Sequence, residues 1–230
     1  MAKASRKVSK TKSTPSIEPL IPATDNQRIA LGHLEDFQVV ILEGLAGTGK
    51  TYLAVHHALG KRLKGDIDKI IFTRPLTTVG NEKLGFLPGD IGDKTKPFTD
   101  QFIEYMEEFS PMLSLDGLKA IEERIEFIPM AYLRGRNFRK AVIIADEMQN
   151  SSEIQMKTLL TRITEETQLI ILGDTKQEDV KQFGGNGLSG LLYKLQSSPD
   201  NPHAAHVKFG YEDIQRGEFV KFIMKLYGDI

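Results

Sequence analysis

The sequence predicts an α/β protein: a P-loop NTPase with a RecA/helicase-like core, its mostly parallel sheet flanked by helices. Three observations carry that expectation. Apolar, β-branched runs at residues 39–42, 69–74, 141–145 and 168–172 have the length and composition of strands buried on both faces. Stretches with helical spacing separate them, the alternation expected of a parallel sheet covered on both sides. The first run leads into Gly44-Leu45-Ala46-Gly47-Thr48-Gly49-Lys50-Thr51, two glycines with four residues between them before Lys and Thr. That spacing lets backbone N–H groups curl around an anion at a helix N-terminus.

The other elements follow in order. Residues 24–31 read as a helix capped by Thr24, and residues 52–59 as the helix after the glycine loop. The second strand stops at Pro75. Residues 81–97, rich in Gly, Asp and Lys, predict a long loop or insertion of functional kind. Helical spacing over 98–122 predicts two helices broken near Ser110-Pro111, and residues 125–129 a short strand. After the strand at 141–145, a helix from about Ser152 places Ile154, Met156, Leu159, Leu160 and Ile163 on its apolar positions. A helix near 188–195, a strand around 206–209 and a helix from about 218 to 226 complete the chain.

Composition narrows the class. With 230 residues, 40% hydrophobic and 27% charged, the chain suits one soluble domain over residues 17–230. No apolar run reaches a membrane span and no secretory leader is visible, so the cytoplasm is the expected location. The chain has no cysteine, which excludes disulfides and thiolate metal sites. His56-His57, His203 and His206 read as surface or helix histidines. The net charge of −1 hides a basic segment: residues 1–14 carry five cations and no acid, leaving −6 for the remainder. Residues 1–16 are therefore expected to be a disordered basic tail. Arg134, Arg136, Arg139 and Lys140 form a second basic cluster.

The chemistry expected is nucleoside triphosphate binding and hydrolysis. The backbone of Gly44, Ala46, Gly47, Thr48 and Gly49 would cradle the phosphates, with Tyr52 beginning the helix behind them. Lys50 would reach the β- and γ-phosphates and Thr51 would ligate Mg²⁺. The strand ending in Asp146-Glu147 supplies the second half of such a site. Asp146 would hold Mg²⁺ through its water shell, and Glu147 would orient and deprotonate the attacking water. Gln177, past the strand ending in Gly173-Asp174, could sense the γ-phosphate. A GTPase is excluded because Gln149 stands three residues after Asp146 where Gly is needed, and Glu178 replaces the Asp of a guanine-reading motif. ATP is the expected nucleotide. A conformational switch that binds ATP without strand separation, and a small-molecule phosphotransferase, are the alternatives. The Asp146-Glu147 pair argues against a pure binder.

These residues converge on a family. The chain resembles the PhoH-like ATPases over residues 22–226, through Gly44 to Thr51, Thr73-Arg74-Pro75 and Glu82-Lys83-Leu84-Gly85-Phe86-Leu87-Pro88-Gly89-Asp90. The match continues through Ala145-Asp146-Glu147-Met148-Gln149-Asn150, Leu160-Thr161-Arg162 and Gly173-Asp174-Thr175-Lys176-Gln177, with Met148 where the family usually has a small residue. The short form is similar to versions carried by bacteriophages. The resemblance implies ATP hydrolysis linked to single-stranded RNA or DNA, RNA favoured, and possible helicase action. It implies adenine reading by Gln27 and nucleic-acid contact by Arg74 and Phe86. It also implies a homo-oligomer, a hexameric ring, because one RecA core lacks the arginine a second would supply. Arg216, then Arg162, are the candidates for that arginine from a neighbouring copy.

Overall fold

The computed structural model describes residues 17–75, 100, 103–105, 107–109, 123–177, 186–198 and 200–228. Within them, six parallel strands form one sheet: β1 Val39–Gly44, β2 Lys69–Thr73, β3 Ile125–Phe127, β4 Ala141–Ala145, β5 Thr167–Gly173 and β6 Ala204–Phe209. Their spatial order is β3-β2-β4-β5-β1-β6. Among the described residues, five α-helices with defined bounds accompany the sheet: α1 Asp25–Asp36, α2 Lys50–Lys64, α3 Glu153–Leu160, α4 Gly187–Gln196 and α5 Glu218–Tyr227. The expected α/β class, a parallel sheet flanked by helices, is observed.

The continuous apolar runs are explained by burial on both faces. Val40, Leu42, Val142, Ile144, Ile170 and Leu172 point to a layer containing residues of α1 and α2. Their alternates Val39, Ile41, Ile143, Ala145, Leu169 and Ile171 meet α3 and α4. The chain therefore leaves β1 toward one face, through α2, and leaves β4 and β5 toward the other, through α3 and α4. Adjacent strands whose connections part in this way open a crevice at their carboxyl ends. Here that crevice lies between β1 and β5.

Local chemistry sets the helix ends. The Thr24 hydroxyl accepts the Gln27 N–H to start α1, and Ser152 with Gln155 forms a reciprocal capping box at α3. α3 stops at Leu160, so Ile163 falls beyond the helix, and Ile154 is exposed rather than apolar-packed as expected. The helix is one turn shorter than its spacing predicts, because Thr161 turns the chain so that Phe138 can donate to the Arg162 carbonyl. Residues 103–105 and 107–109 are helical, as expected; the expected break near 110 lies outside the described residues. His57 is buried, meeting Gln168 Oε1 at 2.7 Å, while the Gln168 amide donates to the carbonyls of Leu34 and Phe37. One carboxamide thus ties the end of α1 and the middle of α2 to the start of β5. Desolvation holds His57 below the usual histidine range despite Glu35 beside it.

Gly44 ends β1 with φ +147°, level with Phe209 of β6. A Cβ there would lie 2.4 Å from the Phe209 carbonyl oxygen. Gly44→Ala is expected to destabilise the fold by more than about 1 kcal/mol, read from the midpoint of a denaturant titration.

Candidate nucleotide site

Two cavities open at the carboxyl ends of the strands. The larger, about 610 Å³, lies beside β6 and α5. The smaller, about 390 Å³, holds the chemistry: Ala46, Gly47, Gly49, Lys50, Thr51, Tyr52, Asp146, Glu147, Gln149, Asp174, Gln177 and Arg216 are on its wall. Residues from the ends of β1, β4 and β5 meet here because all three strands point the same way.

The glycine loop takes left-handed backbone at Gly47 (φ +78°) and Gly49 (φ +88°). Gly49 caps α2 with no side-chain hydrogen bond, so the first N–H groups of α2 face the cavity uncapped. Lys50 Nζ donates to the carbonyls of Gly44 (2.6 Å) and Leu45 (2.8 Å), and the Thr48 hydroxyl donates to Leu45 (2.9 Å). Burial lowers the Lys50 pKa, while Asp146, Asp174 and Glu147 oppose that shift. Tyr52 follows, its hydroxyl donating to Glu108 at 2.9 Å and its ring against Tyr105 and Phe109. Burial and Glu108 push its phenol up to about 12, so it remains a donor.

The loop is gripped from both sides. Gln27 is buried; its amide oxygen accepts the Ala23 N–H at 2.8 Å and its nitrogen donates to the Thr48 carbonyl at 3.1 Å. These bonds use one lone pair and one N–H of the carboxamide, and Gln27 lies behind the loop rather than on the cavity wall. On the other side, the Gln215 N–H donates to the Gly47 carbonyl at 2.8 Å. A Cβ on Gly47 would come within 2.7 Å of Arg216 Cγ. Arg216 therefore stands at its own P-loop, on the cavity wall of its own chain. The cause is local: after β6, Asp213 accepts from the Gly210 N–H and from Asn26, turning residues 210–217 back over the loop.

The carboxylate end is equally constrained. Glu147 adopts left-handed backbone at φ +54°, uncommon outside glycine and typical of strained functional positions. Its carboxylate accepts from Gln149 Nε2 at 2.7 Å, and Gln149 Oε1 accepts the Asp174 N–H at 3.1 Å. Because Asp174 offers a donor, the amide must turn its own N–H toward Glu147. Gln149 and Asp174, both inside matched motifs but given no role by them, hold the Glu147 carboxylate in place. Burial, then the neighbouring Glu147 charge, push the Asp146 carboxyl up to about 6, against the favourable Arg74 and Lys50 charges. A divalent cation would relieve that excess negative charge. Thr51 and Asp146 fit Mg²⁺, which keeps most of its waters and takes few protein ligands beside phosphate oxygens. Among the described residues no three His, Cys, Asp or Glu side chains form a metal-binding group.

The remaining candidates separate. Gln177 is exposed on the cavity wall, its N–H donating to the Asp174 carbonyl. Arg74 follows β2 close enough for its charge to act on Asp146. Arg162 lies after α3, where its carbonyl accepts the Phe138 N–H near the amino end of β4, away from its own cavity. The cluster 134–140 also precedes β4, and its Arg136 pairs with Glu126 at 3.0 Å. Phe86, the loop 81–97 and the basic tail lie outside the described residues.

A family model described as PhoH-like protein matches residues 19–228. The chain belongs to the PhoH family. Protein PhoH of Escherichia coli strain K12 is 33% identical over 210 residues, covering 91% of this chain and 58% of that protein. The PhoH-like protein of Bacillus subtilis strain 168 is 40% identical over 206 residues, covering 89% and 62%. The chain thus spans about three fifths of the length of these PhoH relatives. Among solved structures, Pif1 helicase from Candida albicans overlaps at a TM-score of 0.43 and 16% identity, over 90% of this chain and 44% of that one. The Hef helicase domain of Pyrococcus furiosus overlaps at 0.44 and 12%, over 82% and 38%. No described helix of this PhoH chain is long and apolar enough to cross a membrane.

Sequence reasoning also missed Glu43, the buried carboxylate before the loop. It accepts from Thr175 and meets Nε2 of His206, an exposed residue as expected, at 2.8 Å. The His206 hydrogen bond holds Glu43 at about 2, against the opposing effect of burial. A depressed carboxylate stabilises the fold above its unfolded pKa and loses that stabilisation as pH falls through its folded one. Glu43→Gln is therefore expected to cost about 2 kcal/mol at neutral pH. The difference should close between pH 4.5 and about 2, followed by chemical denaturation across pH.

Proposed function

We propose that this chain hydrolyses ATP with Mg²⁺ in the smaller cavity and couples the reaction to single-stranded nucleic acid, RNA favoured. The observation that carries the ATPase reading is the convergence of Lys50, Asp146 and Glu147 on one wall, with Glu147 held by Gln149. The phosphates would occupy the uncapped start of α2, and Lys50 would exchange its two carbonyls for β- and γ-phosphate oxygens. Thr51 and Asp146 would hold Mg²⁺, which would offset the negative charge of the phosphates. Glu147 accepts a proton from water as that water's oxygen bonds to the γ-phosphorus. The bond from the γ-phosphorus to the bridging oxygen breaks, leaving ADP and phosphate. Arg216, already at Gly47, would stabilise charge on the transferring group. Gln177 would report the state of the γ-phosphate.

Support for nucleic acid comes from the PhoH resemblance and from Arg74, which stands at the end of β2 beside the carboxylates. Assembly into a ring would let the distant Arg162 serve a neighbouring site. The proposed compartment is the cytoplasm.

Glu147→Gln is expected to lower kcat by about 10²–10⁴-fold while ATP binding persists; wild-type turnover in this variant would overturn the mechanism. Single-stranded RNA should raise wild-type turnover more than single-stranded DNA does. Indifference to both would leave the ATPase and remove its coupling. Gln149→Ala should lower kcat about tenfold or more with little change in KM for ATP, because it misplaces the base rather than the phosphates.

A further inference from the structure

α5 starts after Gly217, ends at the left-handed Gly228, and buries none of its residues. Both core clusters are complete without it. Yet its sequence is that of a core-facing helix: Phe219, Phe222, Ile223 and Leu226 recur at i, i+3, i+4 and i+7, with Val220 and Tyr227 beside them. Phe219 is 74% exposed, Phe222 60%, Leu226 66% and Tyr227 78%. With aromatic side chains burying about 150–250 Å² each, this face offers roughly 600 Å² of apolar area. That is the upper end of the largest patch on an ordinary monomer. One face falls short of a stable interface, whereas two together reach the roughly 1,200 Å² at which specific interfaces begin.

We propose that α5 docks against α5 of a second copy of this chain, the two helices antiparallel about a two-fold axis. The spacing 3-1-3 of residues 219, 222, 223 and 226 reads the same in both directions. An antiparallel partner therefore sets Phe219 against the partner's Leu226 and Phe222 against the partner's Ile223. Charge selects the same direction. Glu218 and Lys225 lie on one edge of the stripe at opposite ends, so antiparallel pairing brings Glu218 to the partner's Lys225. Self-complementarity of this kind is what an isologous contact requires. Lys225 also lines the larger cavity with Gly44 and Leu45, so the contact forms beside the P-loop of each copy. Closed assemblies built through it hold an even number of copies. The inference goes beyond ATP hydrolysis and stands or falls separately from it.

The chain has no cysteine, which makes cysteine cross-linking clean. Light-scattering mass of the full chain should show an even-numbered assembly, and Phe222→Glu with Leu226→Glu should halve it or more, with ATP binding retained. Under mild oxidation Phe222→Cys should cross-link to itself. Phe219→Cys should not, but should cross-link when mixed with Leu226→Cys. A wild-type chain that is monomeric at all concentrations would overturn the proposal and leave the face to another kind of partner. An unchanged mass in the double variant would overturn it too. Self-linking of Phe219→Cys as strong as the mixed reaction would overturn the antiparallel arrangement. Because the cysteine variants are conservative, they decide the matter even if the glutamates prevent folding.

Discussion

The seating of β1 between β5 and β6 is the constraint on which the rest depends. Five register pairs to β5 and six to β6 fix its height in the sheet, and Gly44 ends it against the Phe209 carbonyl. The loop that follows cannot move independently of its neighbours. Leu45 and Gly44 present carbonyls to Lys50, Thr48 is held by Gln27, and Gly47 by Gln215. Opposite connection directions on β1 and β5 then leave a crevice that no side chain has to be removed to create. Pre-organisation of the phosphate cradle is thus a property of strand order before it is a property of the motif.

Much of this was legible in the residues. Buried parallel strands have no alternation, so their apolar runs stand out, and the glycine loop and Asp146-Glu147 announce themselves by position after such runs. Met148, the departure from the family pattern, is explained by packing: its side chain is fully buried in the α3 and α4 layer. What stayed hidden was whatever depended on the meeting of distant segments. Arg216 lies 169 residues from Gly47, and only the turn after β6, held by Asn26 and Asp213, brings it home. The part played by Gln149 could not be read from its motif, because it depends on the N–H of Asp174, just past β5. Glu43 looks like a stray acid in an apolar strand until β6 supplies His206. Ile163 misled because helical periodicity reports the apolar stripe of a helix and not where the helix ends.

The electrostatics of the cavity are unbalanced in one direction. Asp146, Glu147 and Asp174 face Lys50 across a small, partly dry space, and one buried oxygen of Asp174 has no hydrogen-bond partner. Such an arrangement carries a cost in the absence of ligand. Added cation lowers that cost, and added phosphate without cation raises it. The site therefore favours a nucleotide that arrives with its metal over one that arrives bare.

Lys50 is bonded to two carbonyls of its own loop. An ammonium carries three N–H donors, so one remains for an incoming acceptor while both loop bonds hold. A first anionic oxygen can be met without disturbing the loop, and any further engagement exchanges carbonyl bonds for new ones one at a time. The side chain is thereby held in place in advance, and the loop carbonyls that anchor it are the same groups that a stronger acceptor set would release.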